Sequence, residues 1–305
     1  MTADLTNPIF TNEDAARAHL ESVRWPQGPV CPHCGAMGNN RPLAGDSMGA
    51  GWYYCGDCKD KFTVRMGSIF ERSHIPLHKW LLAFHLMASS KKGISAHQLH
   101  RMLGITYKSA WFLAHRIREC MKDSSGFAPM GGEGKTVEAD ETYVGRKPGT
   151  KVRRGTEHKN PVMALVERGG KARTFRIERA NTATVRPIVE ANVDRASRLM
   201  TDEARHYIRV GRTMAGGHEH VEHGAGEYGR GDANTNTIEG YFSIFKRGMT
   251  GTYQHCGEHH LHRYLSEFEF RYNNRIALGI NDVTRAANAV KAAEGRRLTY
   301  RQLDA

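Results

Sequence analysis

Two Cys-x-x-Cys pairs near the amino terminus constrain the fold of this chain more than any other feature of its sequence. Cys31 pairs with Cys34 and Cys55 with Cys58, and the 20 residues 35–54 lie between the two pairs. This spacing is typical of zinc ribbons and zinc knuckles, in which four thiolates bind one Zn²⁺ tetrahedrally and close the site. A segment this short has too small a core to fold without the metal. The sequence therefore predicts one structural Zn²⁺ on these four cysteines.

Three further residues could bear on metal binding but are not assigned to it. His33 lies between two of the predicted ligands and is interpreted as a surface residue, with replacement of one cysteine as the alternative. Cys120 and Cys256 stand alone in the sequence, and an isolated cysteine usually behaves as a small hydrophobic residue. We therefore expect both to be packing residues.

The charge of the chain points to a polyanionic partner. Lys and Arg total 44 of the 305 residues against 32 Asp and Glu, which gives a formal net charge of +12. The summed field attracts polyanions, so nucleic acid is the leading candidate partner. No apolar run approaches the roughly 20 residues needed to cross a bilayer, and residues 1–10 lack the pattern of a signal peptide. We expect no membrane association and a cytoplasmic, nucleoid-associated protein.

The chain divides into four segments that together predict a multidomain α/β protein. In order, they are a helix with a zinc ribbon at 1–64, a helix-turn-helix-like DNA-binding module at 65–125, an α/β catalytic domain with a mixed sheet at 126–280, and a polar tail at 281–305. Within the catalytic domain, hydrophobic patterns predict strands at 136–144, 161–168, 172–178 and 198–201 and helices at 184–193, 237–246 and 256–273. The polar, His-rich segment 216–231 is predicted to be a loop, and it contains His218, His220 and His223. We interpret these histidines as a DNA-facing loop rather than a metal site.

Capping signals predict a pair of helices before residue 120. Ser95 can cap one helix, Gly104 suits a tight turn, and Thr106 can cap a second helix. Two helices joined by a short Gly-containing turn are typical of helix-turn-helix modules but also occur in many enzymes. On the second helix, the residues Tyr107, Lys108 and Arg116 are predicted to contact DNA, while Ala110, Leu113 and Ile117 have the spacing of a packed face.

Three acidic residues from separate segments are candidates for a metal-binding reaction centre. Asp140 lies in a predicted strand, Asp202 directly follows an apolar strand, and Glu239 lies early in an amphipathic helix. Acidic groups beside such cores are costly unless they are paired or bind a metal. The residues alone leave alternatives open, because Glu141 could replace Asp140, and Asp232 or Glu227 could replace Glu239.

The same region resembles bacterial insertion-sequence transposases of the DDE class, in the group related to eukaryotic Merlin elements. The matching text includes Asp-Glu-Thr-Tyr-Val-Gly at 140–145 and Asn-Thr-Asn-Thr-Ile-Glu-Gly-Tyr-Phe at 234–242. Further matches lie at 24–26, 31–35, 201–202, 246–248, 251–253 and 261–273. The resemblance covers nearly the whole chain up to about residue 275, and the motifs are specific in combination.

The resemblance implies a ribonuclease H-like catalytic fold, with two aspartates on adjacent strands and a glutamate on a later helix. It selects Asp140 over Glu141 and Glu239 over the loop residues, and it implies that Asp140, Asp202 and Glu239 bind two Mg²⁺ (or Mn²⁺) ions. Oxygen ligands suit these hard cations and do not suit zinc. The implied partners are double-stranded DNA, as element ends and target, and further copies of the chain in an active homo-oligomer.

Two basic residues at the end of the predicted helix 237–246 extend this interpretation. Lys246 and Arg247 lie two helical turns beyond Glu239 and are predicted to contact DNA phosphates, with a solvated basic face as the alternative. Asn234 and Asn236 are interpreted as caps of that helix. The resulting expectation is a transposase that binds terminal inverted repeats, cleaves element ends and joins the 3′-ends to target DNA. The alternatives are a non-catalytic DNA-binding regulator and a structure-specific nuclease of the same fold.

Overall fold

The computed structural model describes residues 4–43, 48–123, 128–152, 154–222, 224, 226 and 229–299. The chain forms two compact units, the first made of Met1–Ser90, Ile94–Met121 and Asn281–Ala305, and the second of Lys91–Gly93 and Lys122–Ile280. The mixed α/β fold expected from the sequence is confirmed. The division into units differs from the predicted one, because the ribbon, the helix pair and the carboxy-terminal segment belong to one compact unit.

The first unit begins with a short 3₁₀ turn and the helix α1 (Glu13–Arg24), followed by a three-stranded antiparallel sheet. Its strands are β1 (Asn40–Pro42), β2 (Trp52–Cys55) and β3 (Lys61–Thr63), with β2 in the centre. The sheet is small, and its aromatic cluster of Trp25, Tyr53 and Phe62 supplies most of the local apolar contact.

Three helices follow in the same unit: α2 (Leu77–Ser89), α3 (Ala96–Leu103) and α4 (Tyr107–Met121). The predicted caps are present. The Ser95 hydroxyl accepts from the amide of Gln98 at 3.1 Å, and the Thr106 hydroxyl accepts from the amide of Ser109 at 3.2 Å. Gly104 ends α3 with φ +58°, a left-handed conformation that favours glycine. The sequence signals therefore located both helices of the pair and the turn between them.

The carboxy-terminal segment differs from the predicted polar tail. Residues Asp282–Lys291 form helix α9, capped by the Asn281 side chain, which accepts from the amide of Thr284 at 2.9 Å. Ala289 and Val290 on this helix are buried within the first unit. The prediction missed the helix because its buried face uses alanines, one valine and the stem of Arg285, and such a face lacks a strong apolar run.

The second unit is built on a five-stranded mixed sheet of order β6-β5-β4-β7-β8. Its strands are β4 (Thr136–Val144), β5 (Asn160–Glu167), β6 (Ala172–Arg176), β7 (Arg198–Asp202) and β8 (His218–Val221). Strand β5 pairs antiparallel with β4 and β6, whereas β7 pairs parallel with β4 and β8. This is the mixed sheet that the resemblance implies.

Strand β8 corrects the prediction of a loop over 216–231. It pairs with β7 in parallel register, with Leu199 opposite His218 and Asp202 opposite Val221. The segment His-Glu-His-Val has no alternating apolar pattern, because an edge strand is partly exposed and is held by its backbone ladder. His223, the third member of the histidine group, lies outside the described residues.

Helices cover both faces of this sheet. Helices α7 (Asn236–Gly248) and α8 (Leu261–Asn273) pack on one face with Val162, Ala164 and Val166 of β5. Helices α5 (Thr182–Asn192) and α6 (His206–Gly211) pack on the other face with Val137 and Ala139 of β4. Since alternate side chains of a strand point to opposite faces, the even-numbered residues of β4 face α7. In the part of the chain that the structure describes, no helix is long and apolar enough to cross a membrane.

Candidate functional site

The four ribbon cysteines converge on one point. The Sγ atoms of Cys31 and Cys58 lie 3.6 Å apart, as do those of Cys34 and Cys55, and all four lie within 4.8 Å of one another. A tetrahedral zinc with Zn–S bonds of ~2.3 Å requires sulfur separations of about 3.8 Å. Cys55 ends β2 and Cys58 lies in the turn after it, while Cys31 and Cys34 flank an earlier turn. Each pair therefore lies at one turn. The arrangement fits one structural Zn²⁺.

Replacing Cys55 with Ser is expected to release the zinc and unfold the ribbon. Cys55 is fully buried, and a structural site that loses one thiolate loses most of its affinity, which is also folding free energy for so small a segment. The zinc content of the purified full-length chain should fall from about one per chain to near zero. Cys120→Ser is the matched control, because Cys120 is buried in helix α4 far along the chain and should leave the zinc content unchanged. Equal zinc content in both variants would contradict the assignment.

Asp140 and Asp202 lie side by side on the central strands of the sheet. The parallel ladder between these strands ends at Glu138 opposite Met200, two residues before each aspartate, and the charge of Asp202 acts on the Asp140 carboxyl. Both side chains are half-buried, and β4 turns Asp140 rather than Glu141 towards the face that α7 covers. Two carboxylates from separate segments therefore lie close together where β7 ends.

The electrostatics of this pair favour a cation. Burial, followed by the negative charges of Asp202 and Glu141, raises the pKa of Asp140 to about 7, against the opposing pull of its hydrogen bond from the amide of Glu141 at 2.6 Å. Burial and the charge of Glu141 also raise the pKa of Asp202, although its carboxylate accepts from the amide of Ala204 at 3.1 Å. Like charges held together in a partly desolvated site are stabilised by a bound metal ion. Hard oxygen donors of this kind suit Mg²⁺ or Mn²⁺.

Glu141 is occupied on the opposite face of the sheet. Its carboxylate accepts from the Tyr207 hydroxyl at 2.5 Å and lies 3.2 Å from Nε2 of His206. Burial lowers the pKa of His206, but the hydrogen bond to Glu141 and the nearby aspartates outweigh it, so the net pKa is raised. Glu141 is thus held by helix α6, whereas Asp140 faces α7.

Glu239 lies on the first turn of α7, on the helix that covers Asp140. Its Oε1 accepts from the hydroxyl of Thr235, the residue before the helix, at 2.9 Å. Lys246 follows Glu239 by two helical turns and shares its side of α7, and the positive charge of Lys246 partly offsets the rise in the pKa of Asp140. That side of α7 therefore runs beside Asp140. Among the described residues, only the four cysteines bring three or more ligand atoms within 4.8 Å of one another, so Glu239 and the aspartates are not that tightly clustered.

One buried contact that the sequence did not reveal ties α7 to the strand carrying Asp140. Glu138 is fully buried, and its Oε2 accepts from the amide of Ile238, in the first turn of α7, at 2.8 Å. Its Oε1 accepts from Nε of Arg168 at 2.6 Å. Arg168 also donates to both Asp232 and Asn234, in the loop directly before the helix. The start of α7, next to Glu239, is therefore fixed to β4 by a carboxylate 100 residues away in the chain.

Of the two loop residues that could replace Glu239, one forms ion pairs with arginines and the other lies outside the described residues. Asp232 pairs with Arg168 at 2.9 Å and with Arg198 at 2.6 Å, so two guanidinium groups neutralise its charge. Glu227 lies outside the described residues. Asn234 does contribute to the start of α7, since its Oδ1 accepts from the amide of Asn236 at 3.3 Å, but the Glu138 carboxylate makes the shorter bond to the helix.

The residues of α4 that were predicted to contact DNA include both exposed and buried side chains. Tyr107 and Lys108 are exposed on the first turn of α4, and the Tyr107 ring stacks on His97 with centroids 4.3 Å apart. Arg116 is instead 5% exposed, and its guanidinium lies 5.2 Å from the Trp80 ring centroid and donates to the carbonyl of Glu71. The prediction that Arg116 contacts DNA is therefore corrected: Arg116 is a packing residue. It follows the buried Leu113 by three residues and precedes the buried Cys120 by four, and these spacings put it on the buried side of α4.

Two sequence families match this chain. Residues 131–273 match the ISXO2-like transposase domain, the DDE domain of IS1595-type elements, and residues 11–61 match the transposase zinc-ribbon domain. The carboxylate pair and α7 lie within the first region, and all four cysteines lie within the second. The chain therefore contains a region similar to an ISXO2-like DDE transposase domain and, before it, a region similar to a transposase zinc ribbon.

One relative and one solved structure align with this chain. An uncharacterized protein in transposable element ISH50 of Halobacterium salinarum is 29% identical over 278 residues, which covers 86% of this chain and 91% of that protein. A chain in the cryo-EM structure of the simian T-cell lymphotropic virus intasome with the PP2A regulatory subunit B56 gamma is 12% identical, with a TM-score of 0.30. That alignment covers 56% of this chain and 63% of the other.

Proposed function

We propose that this chain is a transposase that binds the terminal inverted repeats of its own element, cleaves the DNA at the element ends and joins the freed 3′-ends to target DNA. The observation that carries the proposal is the pair Asp140 and Asp202, half-buried side by side on adjacent strands beneath α7. Carboxylates whose pKa is raised by burial and by nearby negative charges are costly in a structural core and suit a metal-dependent phosphoryl transfer.

Asp140, Asp202 and Glu239 are the proposed ligands of two Mg²⁺ or Mn²⁺ ions. Bound there, such ions would activate a water or a DNA 3′-hydroxyl and neutralise the charge that develops on the phosphate. The choice of Asp140 over Glu141 is supported by their faces, because Glu141 is held by Tyr207 and His206 on the other side of the sheet. The choice of Glu239 is supported by its place on the side of α7 that runs beside Asp140.

Double-stranded DNA is the proposed partner of both units. Tyr107 and Lys108 on α4 are proposed to contact element ends, and Lys246 and Arg247, both exposed at the end of α7, to contact phosphates near the reaction centre. Because two ends must be held together for joining, the active form is proposed to be at least a dimer. The net charge of +12 supports a polyanionic partner but does not distinguish ends from target.

Replacing Lys108 with Ala is expected to weaken binding of an element-end duplex and to reduce its salt dependence. Loss of one phosphate contact lowers the slope of log K against log salt by about 0.9. Fluorescence anisotropy at several salt concentrations measures that slope. Lys291→Ala is the control, since Lys291 is an exposed lysine at the end of helix α9 in the same unit. Equal slopes for wild type and both variants would remove α4 from the proposed DNA interface.

A strand-transfer assay separates the proposed activity from its two alternatives. The full-length chain is incubated in Mg²⁺ with labelled duplexes carrying the DNA sequences that flank its gene and with a plasmid target. A transposase covalently joins the labelled 3′-ends to the plasmid. Cleavage without joining would indicate a structure-specific nuclease, and end binding without cleavage would indicate a non-catalytic regulator.

A further inference from the structure

A cavity of about 320 Å³ opens at the end of strand β4 in the second unit. It is bounded by Tyr143 and Gly145 at the strand end, by Lys159 before β5, by Lys246 on α7 and by Gln254 after it. Both charged side chains in this lining are lysines, and within the described part of the chain no acidic residue lines it. The composition of the lining therefore favours an anionic occupant.

The cavity borders the carboxylate site. Lys246 is the shared residue, because it lines the cavity and its charge also acts on Asp140. Strand β4 makes the same connection, since Val144 lines the cavity, follows Asp140 by four residues and faces the same side of the sheet. An anion bound in the cavity would thus lie next to the place where the proposed reaction occurs.

The wall of the cavity contains an unusual stretch of backbone. Residues Met249–Tyr253 form a π-helical turn directly after α7, and Gln254 follows with φ +58° and ψ −48°. The amide of His255 donates to the carbonyl of Tyr253 at 2.5 Å, which closes a γ-turn of the rare, positive-φ type around Gln254. A non-glycine residue rarely adopts this conformation, and it persists only where the surroundings enforce it.

The preceding residue provides that enforcement. The Tyr253 hydroxyl donates to Glu267 of α8 at 2.5 Å, and the Tyr253 ring packs edge-on against Tyr264 with centroids 4.8 Å apart. Glu267 is fully buried and also bonds Arg271. The buried anchor at Tyr253 leaves Gln254 exposed at the cavity in its strained conformation. Strain of this kind is most often retained at ligand-binding positions.

We propose that this cavity binds one nucleotide of the DNA strand next to the reacting phosphodiester. The ammonium groups of Lys159 and Lys246 bind its phosphate, and the Gln254 amide hydrogen-bonds to the sugar-phosphate backbone. The proposal rests on the proposed function, because DNA is the anion that would be brought to this edge of the sheet. Lysine and glutamine contacts to the backbone position a strand without reading its sequence.

The first test compares Lys159→Ala with Lys151→Ala, an exposed lysine of the same segment that does not line the cavity. Affinity for a duplex with the element's terminal sequence is measured in Ca²⁺, with the full-length chain, at several salt concentrations. Lys159→Ala is expected to weaken binding about threefold to tenfold and to lower the salt slope by about 0.9. Lys151→Ala is expected to change the affinity less than twofold. Equal effects of the two variants would overturn the proposal.

The second test uses the backbone strain at Gln254. Gln254→Gly removes both the amide and the strain, so it is expected to raise Tm by roughly 2 °C or more while weakening duplex binding. Gln254→Ala removes the amide but keeps the positive φ, so it should weaken binding to the same extent without the gain in Tm. Binding at the wild-type level in both variants would overturn the role of Gln254 and of the cavity.

The outcomes also separate this proposal from the proposed function. If the wild type neither binds nor cleaves the duplex, both fail. If the wild type cleaves it and the Lys159 and Gln254 variants behave like Lys151→Ala, only the cavity proposal fails. A third measurement is the affinity for inorganic phosphate. If Lys159→Ala loses phosphate binding but binds the duplex as tightly as wild type, the cavity binds a free anion and not DNA.

Discussion

Replacing Asp140 with Asn is expected to stabilise the protein in the absence of added divalent metal and to stop DNA cleavage. In the folded chain, burial and the charges of Asp202 and Glu141 oppose ionisation of Asp140. The neutral amide removes this repulsion while keeping the size and shape of the side chain. A variant that is more stable and inactive is the expected signature of a site whose charges serve function.

The size and pH dependence of the stabilisation follow from the pKa shift. The pKa of Asp140 is raised from 3.8 to about 7, so the folded state binds the proton more tightly than the unfolded chain does. The penalty is absent below pH ~4, grows as the pH rises towards 7 and is fully present above it. At ~1.4 kcal/mol per unit, the shift corresponds to at most about 4 kcal/mol. Asp140→Asn should therefore raise the free energy of unfolding at pH 8 and leave it nearly unchanged at pH 4.

Denaturant titrations of wild type and variant at the two pH values measure this difference. Added Mg²⁺ should narrow it at pH 8, because the ion stabilises the folded wild type and has lost a ligand in the variant. Glu178→Gln is the control, as it neutralises an exposed carboxylate of the same unit and should change the stability little at either pH. If Asp140→Asn lowers the stability at pH 8, the carboxylate is structurally engaged and the metal-site interpretation of the pair is wrong.

Replacing Glu138 with Ala is expected to cause a large loss of stability in the second unit. The substitution leaves the guanidinium of Arg168 without its buried counter-ion and the amide of Ile238 without its acceptor. Removing one partner of a buried ion pair costs about 3–5 kcal/mol. Urea denaturation should show this loss, while Glu178→Gln, as above, stays near wild type.

Glu138→Gln tests whether the same contact positions Glu239. The glutamine oxygen can still accept from the amide of Ile238, so the unit should remain folded, but the NH2 group then faces the Arg168 guanidinium and that bond is lost. We expect the Mg²⁺ concentration for half-maximal cleavage to rise several-fold, with Mn²⁺ restoring most of the rate. A purely structural role predicts a lower Tm with an unchanged metal requirement, and that result would exclude Glu138 as a positioning residue.

The sequence predicted the elements whose signals are local. The spacing of the four cysteines predicted a cluster that the structure contains, and the alternating pattern at 136–144 predicted β4 with the bounds that it has. The caps at Ser95 and Thr106 located α3 and α4 for the same reason, because each capping side chain bonds an amide three residues away.

The missed features depend on contacts that are distant in the chain. Strand β8 is held by its ladder to β7, and its polar sequence carries no strand pattern. Arg116 has the composition of a DNA contact, but the Trp80 ring buries it. Glu138 looked like any acidic residue of a strand, yet it caps a helix 100 residues further along. Local periodicity cannot encode such pairings, although an acidic residue on the same strand face as Asp140 was a signal that could have been used.

The most direct measurement of the central claim is cleavage by the Asp202→Asn variant. Asp202 ends β7 and its charge acts on Asp140, and the loss of one metal ligand removes several kcal/mol of charge stabilisation, or about a thousandfold in rate. The full-length variant and the wild type are incubated with an element-end duplex in Mg²⁺, and binding of the same duplex is measured in parallel. If Asp202 binds the catalytic metal, the variant is expected to cleave at least about a thousandfold more slowly and to bind the ends within twofold of wild type. Cleavage at the wild-type rate would contradict this role of Asp202.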